Sequence, residues 1–263
     1  MNPYALNDIE IVKFFACFVR VGGLFIMLPF FGDNTIPPVA RVFLSFTISL
    51  VLFPIVSHSP GSAAFQIPIN DLGIFLLVIK EALIGIGIGF LAKMFFDAIG
   101  FAFGFMGLQM GFNMASAFDH HLESQTPIIT QLMLALATLL FLATNGHHLF
   151  LTVLSKSFEL LPLGGGNISR EFLLYVFDTT SKVFWIAVKL SAPMALTVFL
   201  INCAFGIVAK AVPQINVLVV SFTVNILAGF LVITLILPML GTNIGEIFQD
   251  MIAHMYHAIR LLA

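Results

Sequence analysis

The stretch "LGIFLLVIKEALIGIGIGFLAKMFFDAIGFAFGFMGLQMGF", residues 72–112, decides the fold. Only Lys80, Glu81, Lys93 and Asp97 interrupt about forty apolar, small or neutral residues. A helix needs about 20 apolar residues to cross about 30 Å of hydrocarbon. At about 1.5 Å per residue, a helix over this block is roughly twice that thickness. It must bend, break or rise out of the membrane.

The rest of the chain agrees. Its 263 residues are 60% hydrophobic and 9% charged, and the mean hydropathy is +1.08. Soluble domains keep about a quarter of their residues charged, so this composition belongs to the bilayer. A net charge of −2 carries no basic footprint for nucleic acid. Cys17 and Cys203 lie far apart in apolar runs and read as small core hydrophobes. "MNPYALNDIE", residues 1–10, has two acids and no base before the apolar run. That start does not suit a cleaved signal, so the N-terminus is expected to stay as part of the first membrane segment.

Turn residues divide the sequence into about six apolar blocks, and backbone in lipid must pair internally, so the blocks are expected to be helices. They run from about Ile9 to Phe31, Val39 to Val56, Leu72 to Phe112, Pro127 to Phe158, Phe172 to Ala211, and Ile215 to Leu240. The fourth contains a break at "NGHH", and Pro193 is expected to kink the overlong fifth. After the sixth, residues about 242–262 show helical spacing and read as an amphipathic helix, interfacial or packed on a partner. One membrane domain, residues 1–263, is expected, of all-α class.

Two topology signals are weak. The loop 57–71 holds no Lys or Arg, and 113–127 holds only acids. One Trp and three Tyr stand against thirty Phe, so aromatic anchors at the headgroups are scarce. Much of the apolar surface is therefore expected to meet other subunits.

Within the third block, Gly85, Gly89, Gly100, Gly104, Gly107 and Gly111 fall within about 60° of one line on a helix. Small residues four apart let a neighbouring backbone approach closely. Glycine also weakens a helix by roughly 0.8–1 kcal/mol relative to alanine. Met106, Met110 and Met114, with Phe112 and Phe118, add flexible and bulky apolar side chains that can seal a hole yet rearrange. On residue chemistry this is a deformable seal or a tightly packed helix face.

Other chemistries find little support. His120 and His121 diverge and complete no zinc set with Asp119 or Glu123; His147 and His148 read as turn polarity. "IGIGIG" misses the dinucleotide fingerprint, GxSxG is missing, and no cofactor is expected. Lys80, Glu81, Lys93, Asp97, Asp178, Lys182 and Lys189 keep one alternative open, an ion-coupled secondary transporter of a small solute. Against it, Asp178 and Lys182 stand i, i+4 in the order that suits a structural pair.

Four strings converge on one family: "FVRVGGLFIMLPFFGDNTIPPVARVFLS", the block "KEALIGIGIGFLAKMFFDAIGFAFGFMGLQMGFNMASAFD", "LFLATNGHHLFLTVLSKSFELLPLG" and "FGIVAKAVPQINVLVVSFTVNILAGF". Together they resemble the FliR family of flagellar type III export-gate proteins, whose relatives serve in injectisomes. The resemblance implies a non-enzymatic membrane subunit of the bacterial inner membrane at the flagellar basal body. It would assemble with P-type and Q-type (FliP-like and FliQ-like) subunits in a helical array of hairpins, contact FlhB-like and FlhA-like subunits, and pass unfolded proteins. It also implies a pore plug over about Met106 to His121, with Met106, Gln109, Met110, Gly111, Phe112, Met114 and Phe118 as sealing residues. Lys210, Pro213, Gln214 and Asn216 carry over as subunit contacts. The chain departs from the family where Asp119-His120 replaces an Asp-Pro turn and where Lys210 replaces an arginine.

Overall fold

The computed structural model describes residues 8–28, 37–57, 71–111, 128–212, 214 and 216–263. Seven helices account for nearly all of them: α1 Asp8–Met27, α2 Pro38–Ser57, α3 Asp71–Gln109, α4 Ile128–Ala143, α5 Gly146–Leu160, α6 Arg170–Ala211 and α7 Val217–Leu262. No strand occurs among the described residues. α2, α3, α6 and α7 are each long and apolar enough to cross a membrane, and the chain is an all-α membrane protein.

The helices form two compact units. The first comprises Met1–Phe96, Asn145–Thr180 and Gln249–Ala263; the second comprises Asp97–Thr144 and Ser181–Phe248. α3, α6 and α7 each contribute to both.

In the first unit α1 and α3 cross at backbone contact. A β-carbon at Gly85 would lie 2.2 Å from the carbonyl oxygen of Arg20, and one at Gly89 would lie 2.7 Å from that of Leu24. Gly23 answers from α1, 3.0 Å from the Ala82 carbonyl oxygen by the same construction. Glycine on both helices is what lets two backbones come so near.

α2 buries two serines along with Leu52 and Val56 and turns many large apolar side chains outward, unlike a helix of a soluble protein. The serines are Ser45 and Ser49, whose hydroxyls donate to the carbonyls one turn back, Arg41 at 2.9 Å and Ser45 at 2.6 Å. Val42, Phe43, Phe46, Leu50 and Val51 lie exposed. Such a face is stable only in apolar surroundings. Pro38 occupies the first helical position, where a missing amide costs nothing, and the Pro37 carbonyl accepts from Ala40 and Arg41.

The break expected at "NGHH" is present, and one boundary differs from expectation. The fourth block is two helices, because Asn145 takes a left-handed φ of 57° between α4 and α5. The tail at about 242–262 is no separate helix: α7 runs unbroken through 46 residues. Gly241 and Gly245 cost a helix about 1 kcal/mol each, too little to stop one whose later turns are held by packing. Ile247, Phe248, Met251, Ile252, Met255, Ala258 and Ile259 are all buried inside this chain. Pro193 and Pro238 likewise sit within α6 and α7 without ending them. Thr197 Oγ1 donates to the Pro193 carbonyl at 2.9 Å.

Candidate functional site

The glycine line of α3 divides along its length. Gly85 and Gly89 press on α1 as described. In the second unit, Gly100 and Gly104 look toward Leu134 and Thr130 of α4 at 3.5 and 4.0 Å from a constructed β-carbon, ordinary packing distances. Thr130 Oγ1 donates to the Phe103 carbonyl at 3.3 Å, joining the two helices there. Gly107 is buried and Gln109 half-buried.

At its C-terminal end α3 meets α7. Met106 and Met110 are both buried, Met110 with 0% of its surface exposed. Gly229 of α7 accepts the Met110 side chain, since a β-carbon there would fall 2.5 Å from Met110 Cγ. The helix stops through a turn: the Met110 amide donates to the Met106 carbonyl and the Gly111 amide to that of Leu108, both at 3.0 Å. Gly111 has φ 87°, the left-handed geometry that commonly closes a helix. A β-carbon at 111 would also lie 2.3 Å from Cε1 of Phe222.

About two turns before this end, at Phe103, lies an apolar cavity of about 210 Å³, lined also by residues including Met133, Leu136, Leu140, Leu237 and Leu240. It offers no polar side chain to a substrate and gives flexible side chains room to repack. Phe112, Met114, Phe118, His120 and His121 lie outside the described residues, as do Pro213 and Ile215. Lys210 closes α6, exposed, and Gln214 and Asn216 are exposed as well. The Asn216 carbonyl accepts from the Val219 and Val220 amides at 3.1 and 3.3 Å, starting α7.

The first unit contains a polar latch that sequence reading passed over. Arg20 of α1 and Glu81 of α3 are fully buried, with Arg20 Nε 2.5 Å from Glu81 Oε2. Arg20 Nη1 donates to the Ser157 and Leu161 carbonyls at 3.1 and 2.8 Å, and its guanidinium lies over the Phe158 ring, 4.4 Å from the centroid. Glu81 Oε1 accepts from the Gly164 amide at 2.7 Å, while Lys80 Nζ donates to the Gly164 carbonyl at 3.2 Å. Gly164 and Gly166 of "LPLGGGN" take positive φ, which turns this loop back onto the helices. The Asn167 amide and Ser169 hydroxyl then donate to the carbonyls of Leu262 and Leu261, at 3.0 and 2.9 Å, and anchor the end of α7. Tyr175 adds a hydrogen bond to His254 Nδ1. The available signal was an arginine inside an apolar block, one turn from a Gly-Gly pair.

Of the charges a carrier would use, Glu81 and Lys80 are thus engaged by Arg20 and Gly164. Lys93 is half-buried and Asp97 exposed; Asp178, Lys182 and Lys189 are exposed on α6. Among the described residues no three His, Cys, Asp or Glu side chains gather as a metal site.

The described residues thus form a helical membrane protein in which α3 ends on a buried methionine and a buried polar latch ties α1 and α3 to the loop after α5. The chain belongs to the bacterial export proteins, family 1, which it matches over residues 11–251. It is 31% identical to the flagellar biosynthetic protein FliR of Bacillus subtilis (strain 168) over 252 residues, 95% of each chain. FliR of Escherichia coli (strain K12) is 26% identical over 232 residues, 88% of this chain and 87% of that one. FliR of Aquifex aeolicus (strain VF5) is 26% identical over 238 residues, 89% and 88% of the two chains.

Proposed function

We propose that this chain is a non-enzymatic subunit of a flagellar protein-export gate in the bacterial inner membrane, at the base of the flagellum. FliP-like and FliQ-like subunits complete the conduit with it, FlhB-like and FlhA-like subunits stand alongside, and unfolded flagellar proteins are its cargo. The segment from about Met106 to His121 is the plug: it seals against small solutes at rest and yields when a chain passes. Lys210, Pro213, Gln214 and Asn216 contact neighbouring subunits.

One observation carries this reading. α6 has 42 residues, about 63 Å of helix, and exposed large apolar side chains occur along it from Leu173 to Val208. Hydrocarbon about 30 Å thick covers half of such a helix. Protein must cover the remainder, which supports an assembly. The flagellar relatives and the buried Met110 support the export and plug assignments.

The experiment is purification of the tagged chain from membranes with its neighbours at native levels. Co-purifying P-type and Q-type subunits in fixed ratio support the proposal. A chain that purifies alone and moves a small solute in vesicles sinks it in favour of a carrier.

A further inference from the structure

We propose that Glu81 is a two-position switch that holds the loop 162–169 closed or releases it, and that Nη2 of Arg20 is the donor it turns to on release. The device is internal to this chain and needs no partner subunit.

Glu81 divides its two oxygens between a helix and the loop. Oε2 accepts from Arg20 Nε at 2.5 Å, and Oε1 accepts from the Gly164 amide at 2.7 Å. A guanidinium presents Nε and Nη2 side by side on one edge, the fork that a carboxylate grips with both oxygens. Only half of that fork is made. Arg20 Nη1 is held by the Ser157 and Leu161 carbonyls, whereas Nη2 is buried without a hydrogen-bond partner among the described residues. A buried donor left open is a standing cost, and it lies on the edge that Glu81 already touches.

One side-chain rotation connects the two positions. The last torsion of a glutamate is broad and soft, so Oε1 can turn from the Gly164 amide to Nη2 while Oε2 stays at Nε. The ion pair persists throughout, and the large cost of stranding a buried charge is never met. Gly164 and Lys80 are half-buried, so water takes over the hydrogen bonds they give up.

Other contacts make the closed form the resting one. Leu163 is buried, and Lys80 Nζ donates to the Gly164 carbonyl at 3.2 Å. The completed fork offsets the polar part of what opening loses, which brings the open form within reach as a minor state. Opening has a defined output. The Asn167 amide and Ser169 hydroxyl hold the Leu262 and Leu261 carbonyls, so a lifted loop lets go of the end of α7.

The test is hydrogen exchange, read by mass spectrometry, in the full chain held in a lipid nanodisc. Arg20→Lys keeps the charge but has no fork, which leaves Glu81 with a single position. Amides over 163–169 are expected to exchange at least about threefold more slowly in this variant, although its buried pair is weaker. A static clamp would loosen with the pair, so loop exchange that is faster or unchanged overturns the switch. Lys80→Met removes the hold on the Gly164 carbonyl and leaves the pair in place. The loop and the end of α7 should then exchange at least about threefold faster, with α1 and α3 around Arg20 and Glu81 as protected as before. Unchanged loop exchange, or a matching rise in α1 and α3, overturns the switch, and this second variant decides it if Arg20→Lys fails to accumulate.

Discussion

Met110 of α3 is seated on Gly229 of α7 so closely that a β-carbon at 229 would fall within 2.5 Å of its Cγ and 2.6 Å of its Cε. The thioether is fully buried at the point where α3 hands the chain to the segment proposed as the plug. A larger residue at 229 must push Met110 off its seat. Gly229→Val is expected to cost about 1–3 kcal/mol by overpacking. In cells carrying the assembled complex it should raise uptake of a small impermeant dye, whereas Gly206→Ala in the lone chain should leave its stability unchanged or slightly higher. Thermal unfolding in detergent reads the first effect and dye uptake the second.

The Arg20–Glu81 pair predicts an asymmetry of magnitude. Removing one partner of a fully buried pair leaves the other charge uncompensated and costs about 3–5 kcal/mol. Arg20→Ala and Glu81→Ala should therefore accumulate poorly. Lys156→Ala removes a pair whose side chains are 49% and 46% exposed, where solvent screens the attraction. That variant should match the unsubstituted chain. Membrane yield and melting temperature check both.

Legibility in the sequence followed the range of the forces involved. The all-α membrane class could be read because hydropathy is a local sum, and the break at Asn145 because Thr-Asn-Gly is a local turn signal. Gly85 and Gly89 could be placed on one face by spacing, but not their partner: the opposing carbonyls of Arg20 and Leu24 are about sixty-five residues away. For the same reason Arg20 and Glu81 did not announce each other, nor "LPLGGGN" its hold on the end of α7. The unbroken course of α7 through Gly241-Thr-Asn was hidden for the opposite reason. A local stop signal was present and tertiary packing overrode it. Of the proposed seal, Met106, Gln109, Met110 and Gly111 are placed, while Phe112, Met114 and Phe118 fall outside the described residues.

The α1–α3 crossing predicts opposite signs for two alanines. At Gly85 a methyl would meet the Arg20 carbonyl at 2.2 Å, so the helices must part and the ion pair beside them must misalign. Gly85→Ala should destabilise by more than the roughly 1 kcal/mol it gains in helix propensity. A methyl at Gly22 meets nothing within 4 Å, so Gly22→Ala should stabilise by up to about 1 kcal/mol. Paired thermal melts decide it.

Gly111 combines two constraints, a φ of 87° and the Phe222 ring within 2.3 Å of any β-carbon. Gly111→Ala should cost about 1–2 kcal/mol in backbone strain, with the ring clash added. Substitution to Ala should also shift the entry of the following segment and slow export of flagellar proteins. Co-substitution Phe222→Ala should return part of the stability and little of the export rate, read by unfolding and by secreted protein in the medium.

The central claim is that the segment beginning at Met106 seals a conduit built by several subunits. Its most direct test is small-solute permeability of membranes containing the complex after deletion of residues 110–116, with assembly verified by co-purification of the partner subunits. The account predicts an intact complex whose permeability to small ions and metabolites rises several-fold above that of the undeleted complex. Unchanged permeability with the complex still assembled would contradict it.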